Sequence, residues 1–150
     1  ISAQERKELM NDQEKFEALK QQIVTTHEER YGREARQKYG DPMVDAAQNA
    51  VRNLTQEQYR EWKELEEEIQ RRLEAAVQAG LGPDSQEGRE VARLHKRWLT
   101  VTGNAYDPSM HMGLAQLYIQ DERFTAYYDR TVPGCARFLC DAVCRWAEQI

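Results

Sequence analysis

The fold is decided by residues 55–80, TQEQYREWKELEEEIQRRLEAAVQAG. Thr55 and Gln58 form a capping box, and Tyr59, Trp62, Leu65, Ile69, Leu73 and Val77 then recur at three- and four-residue steps until Gly80. The spacing predicts one long amphipathic helix whose apolar stripe needs partners, and the residues downstream supply them. After the linker Leu81-Gly82-Pro83, Asp84 and Glu87 form a second capping box. It opens a helix with Val91, Leu94, His95, Trp98 and Leu99 on one face, which Gly103 ends. Asp107-Pro108 reads as cap then proline and opens a helix over 109–119, with Met110, Leu114, Leu117 and Tyr118 inward. Asp121 caps a short helix over 122–130 that carries Phe124, Tyr127 and Tyr128. Pro133 opens the last helix, with Phe138, Leu139, Ala142, Val143 and Trp146 as its buried stripe. Strand signals are absent, so the expected fold class is all-α, with a packed helical core over residues 55–150.

Upstream, residues 1–54 read as an N-terminal arm of lower intrinsic stability. Leu9, Phe16 and Ile23 fall seven apart with Leu19 between them, a thin heptad-like stripe in a charged helix. Such a helix either continues a coiled coil from a preceding segment or waits for a surface to pack on. Between Tyr31 and Leu54 short helical pieces are expected, broken at Gly32 and Gly40, with Asp41 as N-cap and Pro42 at the first helical position.

The chain has 150 residues, enough for one domain that buries about 68–70% of its unfolded surface. A hydrophobic fraction of 40%, a charged fraction of 31% and a mean hydropathy of −0.89 mark long solvated helix faces. No apolar run approaches the roughly 20 residues that cross a bilayer. The chain starts at Ile1 inside a charged run, the start expected of a fragment of a longer protein. Twenty-one basic against 26 acidic residues leave a net charge of −5, the wrong sign for neutralising phosphates, so nucleic acid and anionic membranes are poor partners for these residues. Three cysteines, an odd number, fit a reducing cytoplasm better than a disulfide framework.

Catalytic and cofactor chemistry finds little support. Cys140 and Cys144 stand one helical turn apart and could share a soft ion, but they point away from the stripe that holds Cys135. The pattern reads as one buried and two partly exposed thiols, and no metal site is expected. His95 and His111 read as interior histidines, with haem ligation as the remote alternative, and His27 as solvated. No nucleophile elbow or phosphate-cradling loop is present, so the chain is read as not an enzyme and without cofactor. What remains is aromatic density: Trp98, Tyr106, Tyr118, Phe124, Tyr127, Tyr128, Phe138 and Trp146 suit a cleft for a bulky apolar ligand as well as a core.

The run Tyr106-Asp107-Pro108-Ser109-Met110-His111, then Leu114-Ala115-Gln116-Leu117-Tyr118, Asp121 through Asp129 (DERFTAYYD) and Pro133-Gly134 resembles the TipAS family. Upstream, Asp12 through Glu17, Tyr31-Gly32 and Tyr39-Gly40-Asp41 are similar to that family's N-terminal arm. The family comprises antibiotic-binding effector domains of MerR-type transcription regulators. The resemblance implies a globin-like helical fold that binds thiopeptide antibiotics or related bulky macrocycles in a cleft, with the arm ordering over the ligand. It implies a cytoplasmic regulator that is a homodimer in its full-length form and contacts DNA only through an N-terminal domain absent from this sequence. A thiol used for covalent capture in the founding member aligns with Gly113 here, which points to non-covalent recognition. Residues expected around the cleft are Trp98, Tyr106, His111, Tyr118, Phe124, Tyr127 and Tyr128, with His111 offering a hydrogen bond, and Phe16 and Tyr39 closing it from the arm. The rival reading is a helical protein–protein interaction or dimerisation adaptor that pairs through the Leu9–Ile23 stripe.

Overall fold

The computed structural model describes residues 12–103 and 105–150; Leu9, expected on the arm's stripe, lies outside them. The chain divides into two compact units, 1–57 and 58–150. Among the described residues every regular element is helical.

Unit 1 holds α1 (Asp12–His27), a π-helical turn (Glu28–Gly32), α2 (Arg33–Tyr39) and α3 (Asp41–Arg52). Its interior is built on Phe16, Val24, Val44 and Leu54. On α1 the inward line is Phe16, Lys20 and Val24, one step round from the expected heptad, and Leu19 is left 39% exposed. The reason is Lys20. Its ammonium donates to the Arg52 and Leu54 carbonyls at 2.7 and 2.8 Å and satisfies oxygens at the end of α3, which draws that face of α1 inward. Gly32 does not break the helix as expected, because the chain passes through it in helical conformation as a π turn. Its hydrogen is needed for another reason: a Cβ there would lie 2.2 Å from Glu28 Oε2. That carboxylate is held in place by Arg36 and Gln48, each donating at 2.8 Å, and hydrogen bonding from Arg36 pulls its pKa below the ordinary value. Gly40 is the true break, with φ of 87°, and it takes the N-cap position assigned to Asp41, so Asp41 becomes the first helical residue.

Unit 2 is formed by α4 (Gln56–Gln78, which crosses the boundary in its first turn), α5 (Gln86–Thr100), α6 (Pro108–Gln120), α7 (Glu122–Tyr128) and α8 (Cys135–Trp146). The α8 helix is central, with α5, α6 and α7 all packed on it. Its Cys135, Ala136, Phe138, Leu139, Cys140, Ala142 and Val143 are all buried. Cover on several sides explains why Cys140 is buried instead of partly exposed, and only Cys144 of the three thiols faces solvent. Burial pushes the Cys135 and Cys140 thiols up to about 11.

Local chemistry sets the helix starts. Asp107 and Asp121 cap as expected, accepting from Ser109 N at 2.9 Å and Arg123 N at 3.0 Å. At α5 the cap is Ser85 and not Asp84: Ser85 Oγ accepts from Gly88 N at 3.2 Å. The last helix starts at Cys135, two residues after Pro133, and α7 ends at Tyr128, before Arg130. Met110 is 62% exposed, against the inward role expected for it. The inward line of α6 is instead His111, Ala115 and Tyr118, which puts a polar ring where an apolar stripe was read.

Two glycines test this packing in opposite directions. A Cβ on Gly88 would stand 2.0 Å from the Pro83 carbonyl oxygen, and that oxygen is pinned by Trp146 Nε1 at 3.0 Å. Gly88→Ala is expected to destabilise the chain by about 2–3 kcal/mol. Around Gly113 a Cβ meets nothing within 4 Å, and Gly113→Ala in mid-helix is expected to stabilise by about 0.5–1 kcal/mol. Urea denaturation midpoints check both, and equal midpoints for the two variants would contradict the packing described.

Candidate functional site

Most of the aromatic residues of unit 2 form one continuous network, joined through two histidines. Trp62 on α4 stacks on Trp98 of α5 with ring centroids 5.8 Å apart, Trp98 on His95 at 5.3 Å, and His95 on His111 of α6 at 5.0 Å. Tyr118 meets the edge of His95 at 5.6 Å and contacts Phe124 at 5.5 Å and Tyr128 at 4.8 Å. Tyr127 packs edge-on against Tyr128 at 5.1 Å, and Tyr106 against His111 at 5.4 Å. These separations lie in the range where edge-to-face and offset arrangements are favourable.

Through this network runs a directional chain of hydrogen bonds. The Tyr106 hydroxyl donates to the Ala147 carbonyl at 3.1 Å, so its oxygen accepts from His111 Nδ1 at 2.8 Å. His111 Nε2 is then an acceptor, and His95 Nδ1–H donates to it at 2.7 Å. His95 Nε2 in turn accepts from the Tyr118 hydroxyl at 3.2 Å. One terminal carbonyl therefore dictates both tautomers. Both rings are neutral: burial, helped by the neighbouring His111, takes His95 down to about 3, and burial with the charge of Lys96 takes His111 to about 4. Burial raises the Tyr118 and Tyr128 phenols well above their ordinary value. The two imidazoles and the two phenols are thus uncharged at neutral pH.

Of the residues expected around a cleft, Trp98, Tyr106, His111, Tyr118, Phe124, Tyr127 and Tyr128 all enter this network. His111, Tyr118 and Tyr128 are buried, Trp98, Tyr106 and Phe124 half-buried, and Tyr127 is 39% exposed. Both ring nitrogens of His111 are engaged within the protein. The rings largely fill one another's space, and the hollow between Glu66, Ile69, His95, Trp98, Tyr127 and Tyr128 measures about 20 Å³. Phe16 and Tyr39 belong to unit 1. Phe16 is buried beneath the Lys20 ammonium, 4.6 Å from its ring, whereas Tyr39 is 46% exposed. A wider open groove of about 420 Å³ runs along α1 and the π turn, lined by Leu19, Ile23, Thr26, His27, Arg30 and Tyr31.

Sequence reasoning did not assign His95, Trp62 or Glu66 to the site. The i, i+3 spacing of His95 and Trp98 was a usable signal for their stacking. Trp62 and Glu66 reach the network only through the packing of α4. Among the described residues, Gln70 Oε1 and Trp98 Nε1 are the buried side-chain polar atoms without a hydrogen-bond partner.

Unfolding releases two imidazoles that bind protons near pH 6.5, while the folded chain holds them neutral. Stability is therefore fully present above about pH 6.5 and is lost as pH falls from there towards 4, with a limiting slope of about 2.7 kcal/mol per pH unit for two protons. Thermal midpoints at pH 7 and pH 5 check this. The wild-type midpoint is expected to drop, and a double variant His95→Gln, His111→Gln is expected to show a flatter profile.

Residues 31–146 match the family profile of the TipAS antibiotic-recognition domain. The HTH-type transcriptional activator TipA of Streptomyces coelicolor is 29% identical over 120 residues, covering 77% of this chain and 46% of that protein. The HTH-type transcriptional regulator SkgA of Caulobacter vibrioides is 27% identical, covering 94% and 55%. The HTH-type transcriptional activator mta of Bacillus subtilis is 25% identical, covering 91% and 52%. The chain thus spans about half the length of these curated relatives. A solved structure of TipAS in complex with nosiheptide, from a thiopeptide antibiotic multidrug resistance system of Streptomyces lividans, superposes with a TM-score of 0.69 and 26% identity, covering 93% of this chain and 95% of that one. With its all-helical fold and a profile match over most of its length, the chain belongs to the TipAS antibiotic-recognition domain family.

Proposed function

We propose that the chain is the ligand-sensing effector domain of a MerR-type transcription activator and that it binds bulky apolar macrocycles of the thiopeptide class non-covalently. The observation that supports this most strongly is the extended likeness to TipAS, whose solved complex carries nosiheptide. The ring network adds chemical sense, because a large flat heterocyclic guest is held by stacking area and a few polar tips.

The surface offered to the guest is Trp98, Tyr106, Phe124 and Tyr127, the half-buried and exposed members of the network. Buried His111, Tyr118 and Tyr128 stand behind them. The absence of a thiol at Gly113 favours reversible binding; Cys135 and Cys140 are buried, and the exposed Cys144 lies on α8. The relatives are named as HTH-type regulators and extend well beyond the matched part, so DNA contact is assigned to the remainder of such a protein. We read the domain as a binding module of the cytoplasm and not an enzyme. The relatives it matches are named as transcriptional regulators, and no helix of the described residues is long and apolar enough to cross a membrane.

Titration of the ¹⁵N-labelled chain with nosiheptide tests this reading. Saturable shifts across the amide spectrum, a raised melting temperature and an unaltered intact mass after denaturation are expected. An unchanged spectrum and melting temperature at excess nosiheptide would refute it.

A further inference from the structure

The hollow of about 20 Å³ between α4, α5 and α7 has an unusual wall. Trp98 already stacks on Trp62 and His95, so the indole's remaining offer is its N–H, and that Nε1 is buried with no hydrogen-bond partner within the protein. An unmet buried donor of this kind is a standing cost that an incoming acceptor relieves. The neighbouring wall is Tyr127, which is 39% exposed. Its hydroxyl donates to Glu66 Oε1 at 3.2 Å, and its outer face carries the Arg130 guanidinium 4.4 Å from the ring centre. These two holds are weak and solvent-facing, and its remaining ring contact is the edge-on packing against Tyr128 at 5.1 Å, so an outward rotation of the phenol would break only weak contacts. The space it vacates is by construction that of one six-membered ring, and it joins the water-sized hollow beside Trp98. Tyr128, behind it, is buried and stays.

We propose that this is a gated subsite for a flat ring bearing a hydrogen-bond acceptor, such as a ring nitrogen or a conjugated carbonyl. Tyr127 is the gate, and the Trp98 indole N–H is the donor that orients the guest. The proposal rests on the antibiotic-recognition reading and gives it a specificity rule: acceptor-bearing heteroaromatic rings are preferred over hydrocarbon rings of the same shape.

The test compares quinoline with naphthalene at pH 7.5 on the ¹⁵N-labelled 150-residue chain, with the Trp98 indole resonance identified by its loss in Trp98→Phe. Quinoline is expected to move that resonance downfield and to bind about fivefold to tenfold tighter than naphthalene, the worth of one net hydrogen bond. Trp98→Phe is expected to bind the two alike, and Tyr127→Ala to bind quinoline more tightly than the wild type. A still Trp98 resonance, or a quinoline preference that persists in Trp98→Phe, overturns the subsite. Nosiheptide run in parallel separates the two levels. Equal binding by wild type and Trp98→Phe removes the subsite and leaves antibiotic recognition standing, whereas binding by neither removes both.

Discussion

The constraint on which unit 2 depends is that two imidazoles and two phenols sit inside an apolar helical core and must satisfy one another there. Burial strips water from His95, His111, Tyr118 and Tyr106, and each unmet donor or acceptor among them would carry its own desolvation penalty. The chain from the Tyr118 hydroxyl to the Ala147 carbonyl meets that demand with a single direction of donation. A network of this kind is stabilising when complete and costly when broken, so it fixes the relative placement of α5, α6 and the end of α8 more sharply than apolar contacts alone.

Rigidity of this sort suits recognition. A pocket whose back wall is held by directional bonds spends little of its binding free energy on reorganisation, and flexibility can be confined to the side chains in front. The structure divides these roles visibly. His95, His111 and Tyr118 are buried and doubly constrained, while Tyr127 is 39% exposed and is held by a surface hydrogen bond, a cation–π contact and edge-on packing against Tyr128. Unit 1 uses a different device for the same end. Lys20 and the Glu28–Arg36–Gln48 cluster replace apolar bulk with charge placed on backbone oxygens and carboxylates, which is how a strongly polar segment attains a defined arrangement.

Much of this was legible in the residues before any coordinates. The helices of unit 2 follow from three- and four-residue apolar spacing and from Asp107 and Asp121, whose capping is a matter of two or three neighbouring residues. The differences in which side chains face inward share one cause. Met110 was read as inward and Cys140 as partly exposed because a stripe was drawn through the apolar residues, whereas polar His111 and a helix covered on several sides decide those positions. On α1 the heptad through Phe16 and Ile23 missed Lys20 for the same reason: its burial is driven by carbonyls 32 and 34 residues away.

By itself, then, the sequence determined the helical class, the helix starts capped by Asp107 and Asp121 and the aromatic wealth of residues 98–146, because these depend on neighbours within a turn. The tertiary structure alone decided that His95 meets His111 sixteen residues on, that Trp62 and Glu66 of α4 join the ring network, and that a hollow of about 20 Å³ lies between α4, α5 and α7 beside Trp98. Those features arise where helices cross, and the energy of a crossing belongs to pairs of surfaces that no single stretch of chain contains.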